Sequence, residues 1–337
     1  MVRSNSSSSK RTVLVTRPIS DIGLNILKEA NFNLIVNSTR NPLKHAELRR
    51  KAKDVDAILC FLTDTIDKGI LDVAGPNLKI ISTFSTGYEH IDIIEAKKRN
   101  IKIGYTGSIL TETTADLAFG LVLCIGRRIV EADNFVRAGM WKYGWSPDLM
   151  VGTDIHEKTL GIIGMGKIGT AIATRALGFG MKILYTNRSS TKKPELKNFP
   201  SNLNSIKYSD LTELARESDY IIVCCTLNKD SYHLVDMELI SQMKKTAFLI
   251  NIARGKIVNQ PDLITALKKK IIAGAALDVF EDEPLPKNSL LLKMKNVVLL
   301  PHIGSASTET RNKMSERAAL NIVNVLQGHD EGALLIK

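Results

Sequence analysis

Short apolar runs alternate with amphipathic segments along most of the chain, and this alternation occurs twice. The first series, from Thr12 to about Ile103, contains the runs TVLVT, NLIV, DAILCF, KIIS and IKI. The second series begins at Thr159 and contains TLGII, KILYT, YIIVCC, TAFLI, AGAAL and NVVLL. Strand-length apolar runs separated by segments of helical spacing are typical of parallel sheets covered by helices. The pattern therefore predicts an α/β protein with two Rossmann-like or flavodoxin-like parallel-sheet domains.

The order of these segments predicts that the second domain is inserted in the first. Residues 1–11 form a predicted flexible tail, residues 12–107 and 305–337 form the first domain, and residues 108–304 form the second. A long helical stretch, roughly Thr113 to Arg137, lies between the two series and belongs to a predicted helical arm over residues 113–150. Ser305 to Gln327 is predicted to be one helix that returns to pack on the first domain.

Composition narrows the class of protein. Apolar residues make up 44% of the 337 residues, which indicates a globular chain. No apolar run approaches the roughly 20 residues of a membrane helix, so no membrane association is predicted. The basic, serine-rich N-terminus lacks the apolar core of a signal peptide, and a transit peptide has only weak support. A cytoplasmic location is the prediction.

The cysteines, histidines and net charge limit the possible ligands. The four cysteines form no CxxC pair and are interpreted as free thiols, while the six histidines show no metal-ligand spacing. No metal is therefore predicted. The net charge of +11 favours an anionic cofactor and an anionic substrate. Because aromatic residues make up only 5% and no basic block is interleaved with them, nucleic-acid binding is not predicted.

The motif GMGKIG, from Gly164 to Gly169, follows the predicted strand TLGII and opens a predicted helix. In a dinucleotide-binding turn, Gly164 would form the tight turn, Gly166 would let the backbone approach the pyrophosphate, and Gly169 would let the helix pack on the strand. The overlapping pattern GxxxxGK, Gly161 to Lys167, is followed by Ile168 rather than Ser or Thr. Without that hydroxyl for Mg²⁺, a nucleotide triphosphatase is disfavoured.

The end of the strand KILYT predicts which dinucleotide is used. An acidic residue normally stands there to accept hydrogen bonds from the ribose of NAD. Here the chain has Asn187, Arg188 and Ser189, with Lys192 and Lys193 close behind. A guanidinium and a hydroxyl can bind a 2′-phosphate, and no carboxylate repels it. NADP (NADPH) is therefore the predicted preference, with NAD possible; the alternative is a solvated surface arginine.

Three polar stretches follow the last strands of the second series. NIARGKIV contains Arg254, GAALDVFEDEP contains Asp278 and Glu283, and VVLLPHIGSAS contains His302. The carboxyl ends of parallel strands share one edge of a sheet, where such folds bind ligands. Reduction of a carbonyl by hydride needs a cation for the substrate, an acid and a partner for that acid. Arg254, His302 and Glu283 are residues of those types.

The chain resembles the D-isomer-specific 2-hydroxyacid dehydrogenases from about Thr12 to Gly328, and within them most closely the glyoxylate/hydroxypyruvate reductases. The motifs STGYEHID, TETTADLAFGLVL, GMGKIG, NIARG, ALDVFEDEP and PHIGSAS occur in the family's order. The resemblance implies that Arg254, Glu283 and His302 are catalytic. It further implies that the backbone of Ser85, Thr86 and Gly87 binds the substrate carboxylate.

The resemblance also implies the remaining site residues and a homodimer. The predicted cofactor-binding residues are Gly164, Gly166, Lys167, Ile168, Gly169, Asn187, Arg188, Ser189, Ile252, Ala253, Arg254, Asp278, His302, Ile303 and Gly304. Asp278 matches a residue near the nicotinamide amide, and the stretch from Lys102 to Arg137 matches the hinge and the dimer-forming arm. Trp145 matches a segment that reaches a neighbouring subunit's substrate, although packing in the interface alone is an equal interpretation.

Two classes of function remain open at this stage. The first is NADPH-dependent reduction of a small 2-keto acid, glyoxylate or hydroxypyruvate, to the D-2-hydroxy acid, with phosphoglycerate- or D-lactate-type dehydrogenases as alternatives in the same family. The second is a non-catalytic dinucleotide sensor similar to the family's corepressors. Formate dehydrogenases of the family have Gln in place of the catalytic Glu, so Glu283 argues against formate.

Overall fold

The computed structural model describes residues 10–188 and 205–336. The described chain divides into two compact units: residues 10–110 with 306–336, and residues 111–188 with 205–305. Each unit has its own parallel sheet with apolar clusters on both faces. The predicted α/β class with two parallel-sheet domains is therefore confirmed. The predicted N-terminal tail falls largely on residues 1–9, outside the described residues.

The first unit contains a five-stranded sheet in the order β2-β1-β3-β4-β5, with every neighbouring pair parallel. Its strands are β1 (Thr12–Val15), β2 (Asn33–Val36), β3 (Ala57–Cys60), β4 (Ile80–Thr83) and β5 (Lys102–Gly104). Its helices are α1 (Asp21–Glu29), α2 (His45–Lys51), α3 (Lys68–Ala74), α4 (Ile93–Lys98) and α11 (Thr308–Gln327), with a 3₁₀ turn at Asp330–Gly332. Strands β3 and β4 are buried at every position, as expected for central parallel strands.

The second unit contains a seven-stranded parallel sheet in the order β12-β11-β10-β9-β6-β7-β8. Its strands are β6 (Thr159–Ile163), β7 (Lys182–Thr186), β8 (Ile206–Tyr208), β9 (Tyr220–Val223), β10 (Phe248–Asn251), β11 (Gly274–Leu277) and β12 (Val297–Leu299). Its helices are α5 (Thr111–Gly126), α6 (Ile129–Arg137), α7 (Lys167–Leu177), α8 (Leu211–Glu217), α9 (Met237–Gln242) and α10 (Gln260–Lys268), with 3₁₀ turns at Gly255–Ile257 and Leu290–Lys293. The strand order reverses at β6, which lies between β7 and β9, and such a reversal is where doubly wound sheets bind ligands.

Side-chain caps fix where several helices begin. The carboxylate or amide oxygen of Asp210, Asp236 and Asn259 accepts a hydrogen bond from the first turn of α8, α9 and α10. Ser307 caps α11 in the same way, and Gly328 ends it in the left-handed conformation. The predicted helix from Ser305 is therefore present, but it begins at Thr308 because Ser307 is its cap.

Two predictions about the helical arm were wrong. The stretch from Thr113 to Arg137 is two helices, because the Gly126 carbonyl accepts from the Thr153 N–H at 2.8 Å and Arg128 is left-handed, at φ 55°. Residues 138–150, predicted as part of a helical arm, contain only turns and irregular backbone. Strand β8 was missed because this half-exposed edge strand lacks an apolar run.

None of the described helices is long and apolar enough to cross a membrane. The four cysteines, Cys60, Cys124, Cys224 and Cys225, are free thiols. Burial raises the pKa of the Cys225 thiol to about 11, and the pKa values of Cys60 and Cys224 are raised further for the same reason. These thiols are therefore protonated and unreactive at neutral pH.

Candidate active site

The turn after β6 has the geometry of a phosphate-binding turn. Gly164 has φ 105°, and a Cβ there would lie 2.7 Å from the Cys225 Cα, so only glycine fits. Helix α7 begins at Lys167, and its N-cap residue Gly166 provides no side-chain cap. A Cβ at Gly166 would meet no described atom within 4 Å. A helix start without a side-chain cap and with open space at Gly166 suits an anionic pyrophosphate.

Gly169 lets α7 approach the sheet. A Cβ at Gly169 would overlap the carbonyl oxygen of Gly164. Lys167, Ile168 and Gly169 therefore form a first helical turn held directly against the glycine turn. The positive φ of Gly164 and the close packing at Gly169 fit a dinucleotide-binding turn, in which the role of Gly166 stays a prediction.

The strand end after β7 makes contacts that the sequence did not predict. The side-chain oxygen of Asn187 accepts a hydrogen bond from the Met165 N–H at 2.7 Å, so Asn187 braces the glycine turn. The Arg188 guanidinium is 77% exposed and lies 3.8 Å from the Asp230 carboxylate. Ser189, Lys192 and Lys193 fall outside the described residues.

Sequence reasoning missed Asp230, although its local signal is visible in the chain. The Asn228 side chain accepts hydrogen bonds from the Asp230 and Ser231 N–H groups at 2.9 and 3.1 Å. This Asn-centred turn is typical of an N-K-D-S stretch after a strand. The turn holds the Asp230 carboxylate near Arg188. The end of β7 therefore has a negative charge close to it that residues 187–193 alone do not show.

A buried asparagine shapes the segment that carries Arg254. Asn251, the last residue of β10, donates to the Arg254 carbonyl and accepts from the Ala253 N–H, both at 3.0 Å. The backbone of Ile252, Ala253 and Arg254 therefore folds around one amide side chain. The Arg254 Nη1 donates to the Ala253 carbonyl at 2.8 Å. Asn251 was not predicted to be part of the site; its signal was a polar residue ending a buried apolar run.

Glu283 and His302 form a close pair. The Nδ1 of His302 lies 2.7 Å from the Glu283 Oε2, and the other oxygen of Glu283 accepts from the Phe280 N–H at 3.1 Å. Burial acts to raise the pKa of Glu283, but the hydrogen bond and charge of His302, the Phe280 amide and the Arg254 charge outweigh it. The net pKa of Glu283 is lowered, so at neutral pH it is a carboxylate beside the imidazole.

Asp278 builds the turn that holds His302. The Asp278 side chain is 1% exposed, and its two oxygens accept from the Ile303 and Gly304 N–H groups at 2.7 and 2.8 Å. Its carbonyl accepts from the His302 N–H at 2.9 Å, and His302 has φ 55°. Burial raises the pKa of Asp278 more than these amides and His302 lower it. Asp278 thus fixes the backbone of the proposed acid.

The Ser85–Gly87 loop belongs to the first unit. The Ser85 hydroxyl donates to the Gly87 carbonyl at 2.5 Å, and the Thr86 hydroxyl donates to the Gly107 carbonyl at 2.6 Å. The Thr106 N–H donates to the Ser85 carbonyl at 2.9 Å. Within the described residues, no acceptor is found for the Thr86 and Gly87 N–H groups. The loop thus orders two amide donors.

The second unit thus collects a phosphate-binding turn, an arginine, a His–Glu pair and a bracing aspartate at the carboxyl ends of β6, β10, β11 and β12. Trp145 does not join this group of residues. It lies in the irregular segment after α6 and is 83% exposed. A doubly wound domain with this constellation defines the class of nicotinamide-dinucleotide oxidoreductases.

Comparison with known proteins identifies the family within that class. Residues 119–304 match the model of the D-isomer specific 2-hydroxyacid dehydrogenase, NAD binding domain. The chain belongs to this family and is an NAD(P)-dependent oxidoreductase. It is 45% identical over 325 residues to a glyoxylate reductase of Thermofilum pendens, covering 96% of this chain and 94% of the relative.

Two solved structures extend the similarity. A crystal structure of a protein from Thermus thermophilus has a TM-score of 0.89 and 36% identity, covering 97% of this chain and 100% of that one. An NADPH-dependent glyoxylate/hydroxypyruvate reductase from Sinorhizobium meliloti has a TM-score of 0.81 and 31% identity, covering 97% and 98%. The predicted resemblance to the family is therefore confirmed.

Proposed function

We propose that the chain reduces glyoxylate and hydroxypyruvate to the corresponding 2-hydroxy acids, of the D configuration where the product is chiral, and that NADPH is the preferred reductant. The observation that carries the proposal is the His302–Glu283 pair at 2.7 Å, on the sheet edge that also carries Arg254 and the glycine turn. Relatives named glyoxylate reductase, 41–45% identical over at least 95% of this chain, support the substrate class.

A bound nicotinamide dinucleotide would supply the hydride that converts the substrate carbonyl into an alkoxide. His302 would then give that alkoxide a proton, so one 2-keto acid, one hydride and one proton yield one 2-hydroxy acid. Glu283 occupies Nδ1 of the ring, which leaves Nε2 as the nitrogen that transfers the proton. The Glu283 carboxylate fixes the orientation of the imidazole for this step.

Arg254 is proposed to hold the substrate carboxylate and to polarise its carbonyl. A planar guanidinium can bond two oxygens at once, which a lysine ammonium does less well. The Thr86 and Gly87 amides are proposed as further donors to that carboxylate. Asp278 would act indirectly, by fixing the turn that presents His302.

The preference for NADPH rests on Arg188. Its exposed guanidinium lies beside the end of β7, where a carboxylate for the ribose is missing from the described residues. Asn187 contributes by bracing the glycine turn, and Ser189 remains a predicted ligand. Among the described residues, Asp230 is the carboxylate that pairs with Arg188, and this exposed ion pair is weak enough for a phosphate to replace it.

A homodimer is proposed from the surface between α6 and β6. Trp141, Tyr143 and Trp145 are 55%, 95% and 83% exposed in one short irregular segment. A groove of about 840 Å³ lies in the same unit and is lined in part by Val130, Met140 and Val151. A two-fold pairing would cover both features, and Trp145 would then face the partner subunit.

A panel of 2-keto acids with both cofactors tests the proposal. Initial rates with glyoxylate, hydroxypyruvate, pyruvate and phosphohydroxypyruvate should give the highest kcat/KM for one of the first two, with NADPH. Higher values with pyruvate or phosphohydroxypyruvate would favour a lactate- or phosphoglycerate-type enzyme. No turnover with any substrate, alongside intact NADPH binding, would favour the sensor.

A further inference from the structure

His233 lies in the loop between β9 and α9 and is joined to two separate segments of the proposed site. Its N–H donates to the Lys256 carbonyl at 2.9 Å, in the segment of residues 252–257 that carries Arg254. Its Nε2 lies 2.8 Å from the Glu281 Oε1, in the segment of residues 278–283 that carries Glu283. We call these the Arg254 segment and the Glu283 segment. His233 therefore ties both to one residue.

The geometry around His233 is fixed from several sides. Its backbone is left-handed, at φ 52°, and its ring stacks on Tyr232 with centroids 4.1 Å apart. The Glu281 oxygen that faces the ring also accepts from the Gln260 N–H at 3.0 Å, at the start of α10. The side chains of His233 and Glu281 are only 28% and 23% exposed. Such a pair holds a defined distance better than a solvated surface pair.

The two segments also touch directly. A Cβ at Gly255 would overlap the backbone of Phe280 and Glu281, so the residue after Arg254 packs against the backbone that leads to Glu283. A shift of either segment must therefore move or strain the other. Glu281, which contacts His233, lies where the two segments meet and is two residues before Glu283 in the sequence.

We propose that His233 and Glu281 are positioning residues that set the spacing between Arg254 and the His302–Glu283 pair. The proposal rests on the proposed function, in which Arg254 holds the substrate that His302 protonates. Neither residue needs to touch the substrate. A misplacement of about 1 Å at a reacting centre costs roughly a hundredfold in rate, so a smaller shift should cost about tenfold.

Matched variants separate positioning from stability. His233→Ala removes the contact with Glu281, His233→Gln keeps a side chain that can donate to Glu281, and Glu281→Gln keeps the shape without the carboxylate. Lys244→Ala is the control, because Lys244 and Asp219 form a 2.9 Å pair of similar exposure in the same unit. The measurements are Tm, the Kd for NADPH, and kcat and KM for the best 2-keto acid.

We expect His233→Ala to lower kcat about tenfold with the Kd for NADPH unchanged. Glu281→Gln should lower kcat less, His233→Gln should restore part of the rate, and Lys244→Ala should lower Tm without changing kcat. The proposal is overturned if His233→Ala keeps the wild-type kcat. It is also overturned if Lys244→Ala slows the enzyme as much at an equal loss of Tm.

A readout without turnover keeps this test separate from the proposed function. The imidazole resonances of His302 report its contact with Glu283, and Glu283→Gln defines the signature of losing that charge. His233→Ala should move the His302 resonances, whereas Lys244→Ala should not. If the wild type reduces no 2-keto acid, the proposed function fails, and His302 resonances unchanged by His233→Ala would separately overturn the positioning role.

Discussion

Replacing Arg188 by alanine should change which cofactor the enzyme uses. Among the residues that the structure describes, the Arg188 guanidinium pairs with Asp230 at 3.8 Å, and both side chains are about three-quarters exposed. The proposed 2′-phosphate would displace that carboxylate. NADH lacks the phosphate, so the Arg188→Ala variant should lose efficiency with NADPH and keep it with NADH.

The magnitude follows from comparing the two contacts. A charge-assisted hydrogen bond contributes about 1.5–3 kcal/mol, whereas an exposed ion pair such as Arg188–Asp230 contributes about 0–1 kcal/mol. The net gain on exchanging Asp230 for phosphate is therefore about 0.5–3 kcal/mol. This range corresponds to a loss of about two- to a hundredfold in kcat/KM for NADPH, and the high exposure of Arg188 favours the lower half.

Steady-state kinetics at low and high salt provide the assay. The loss should shrink at high ionic strength because an exposed charge is screened. Lys98→Ala is a suitable control, because it removes one exposed, ion-paired positive charge from α4 in the first unit. Asp230→Asn should strengthen NADPH use by removing the competing carboxylate. An unchanged kcat/KM for NADPH in Arg188→Ala would refute the proposal that Arg188 binds the 2′-phosphate.

Three further predictions concern the described residues of the second unit. Asp278→Ala should lower the free energy of unfolding by about 1–3 kcal/mol, measured in urea, because buried N–H groups lose their acceptor, and kcat should fall with it. The pKa of Glu283 is lower in the folded state than its unfolded value near 4.5. The stabilising contribution of Glu283 is therefore present above pH 4.5 and is lost as the pH falls through the folded pKa. Lowering the pH should destabilise the wild type more than the Glu283→Gln variant. Light scattering at micromolar concentration should report a dimer, and Trp141→Ala with Tyr143→Ala should shift it toward monomer; a wild-type monomer would contradict the proposed interface.

The alternation of apolar runs predicted the sheets well because each central strand is buried on both faces. Strands β2, β6 and β7 have the predicted bounds, and the other predicted strands differ by one or two residues at the ends. The failures have local causes. Strand β8 is an exposed edge strand without an apolar run, and the break near Gly126 depends on a hydrogen bond from Thr153, which is distant in the sequence.

In the proposed site too, local sequence predicted some residues, and contacts between distant segments determined the rest. Residue type, the shared position after strands of one sheet and the family resemblance together selected Arg254, Glu283 and His302. The supporting residues Asn251, Asp230 and His233 were missed because their roles depend on contacts with backbone or side chains from other segments. Asp278 and Asn187 were selected as cofactor ligands, but their side chains bond to backbone N–H groups of the site's own turns. Sequence patterns locate such residues, whereas their hydrogen-bond partners are known only from the fold.

The most direct test of the proposed reaction is to identify the product formed from hydroxypyruvate and NADPH. Chiral chromatography, run together with the loss of NADPH absorbance, should find one D-glycerate for each NADPH consumed. His302→Ala should bind NADPH and form almost none, because the proposed proton donor is missing. Formation of L-glycerate, or an undiminished rate in His302→Ala, would contradict the account of this site.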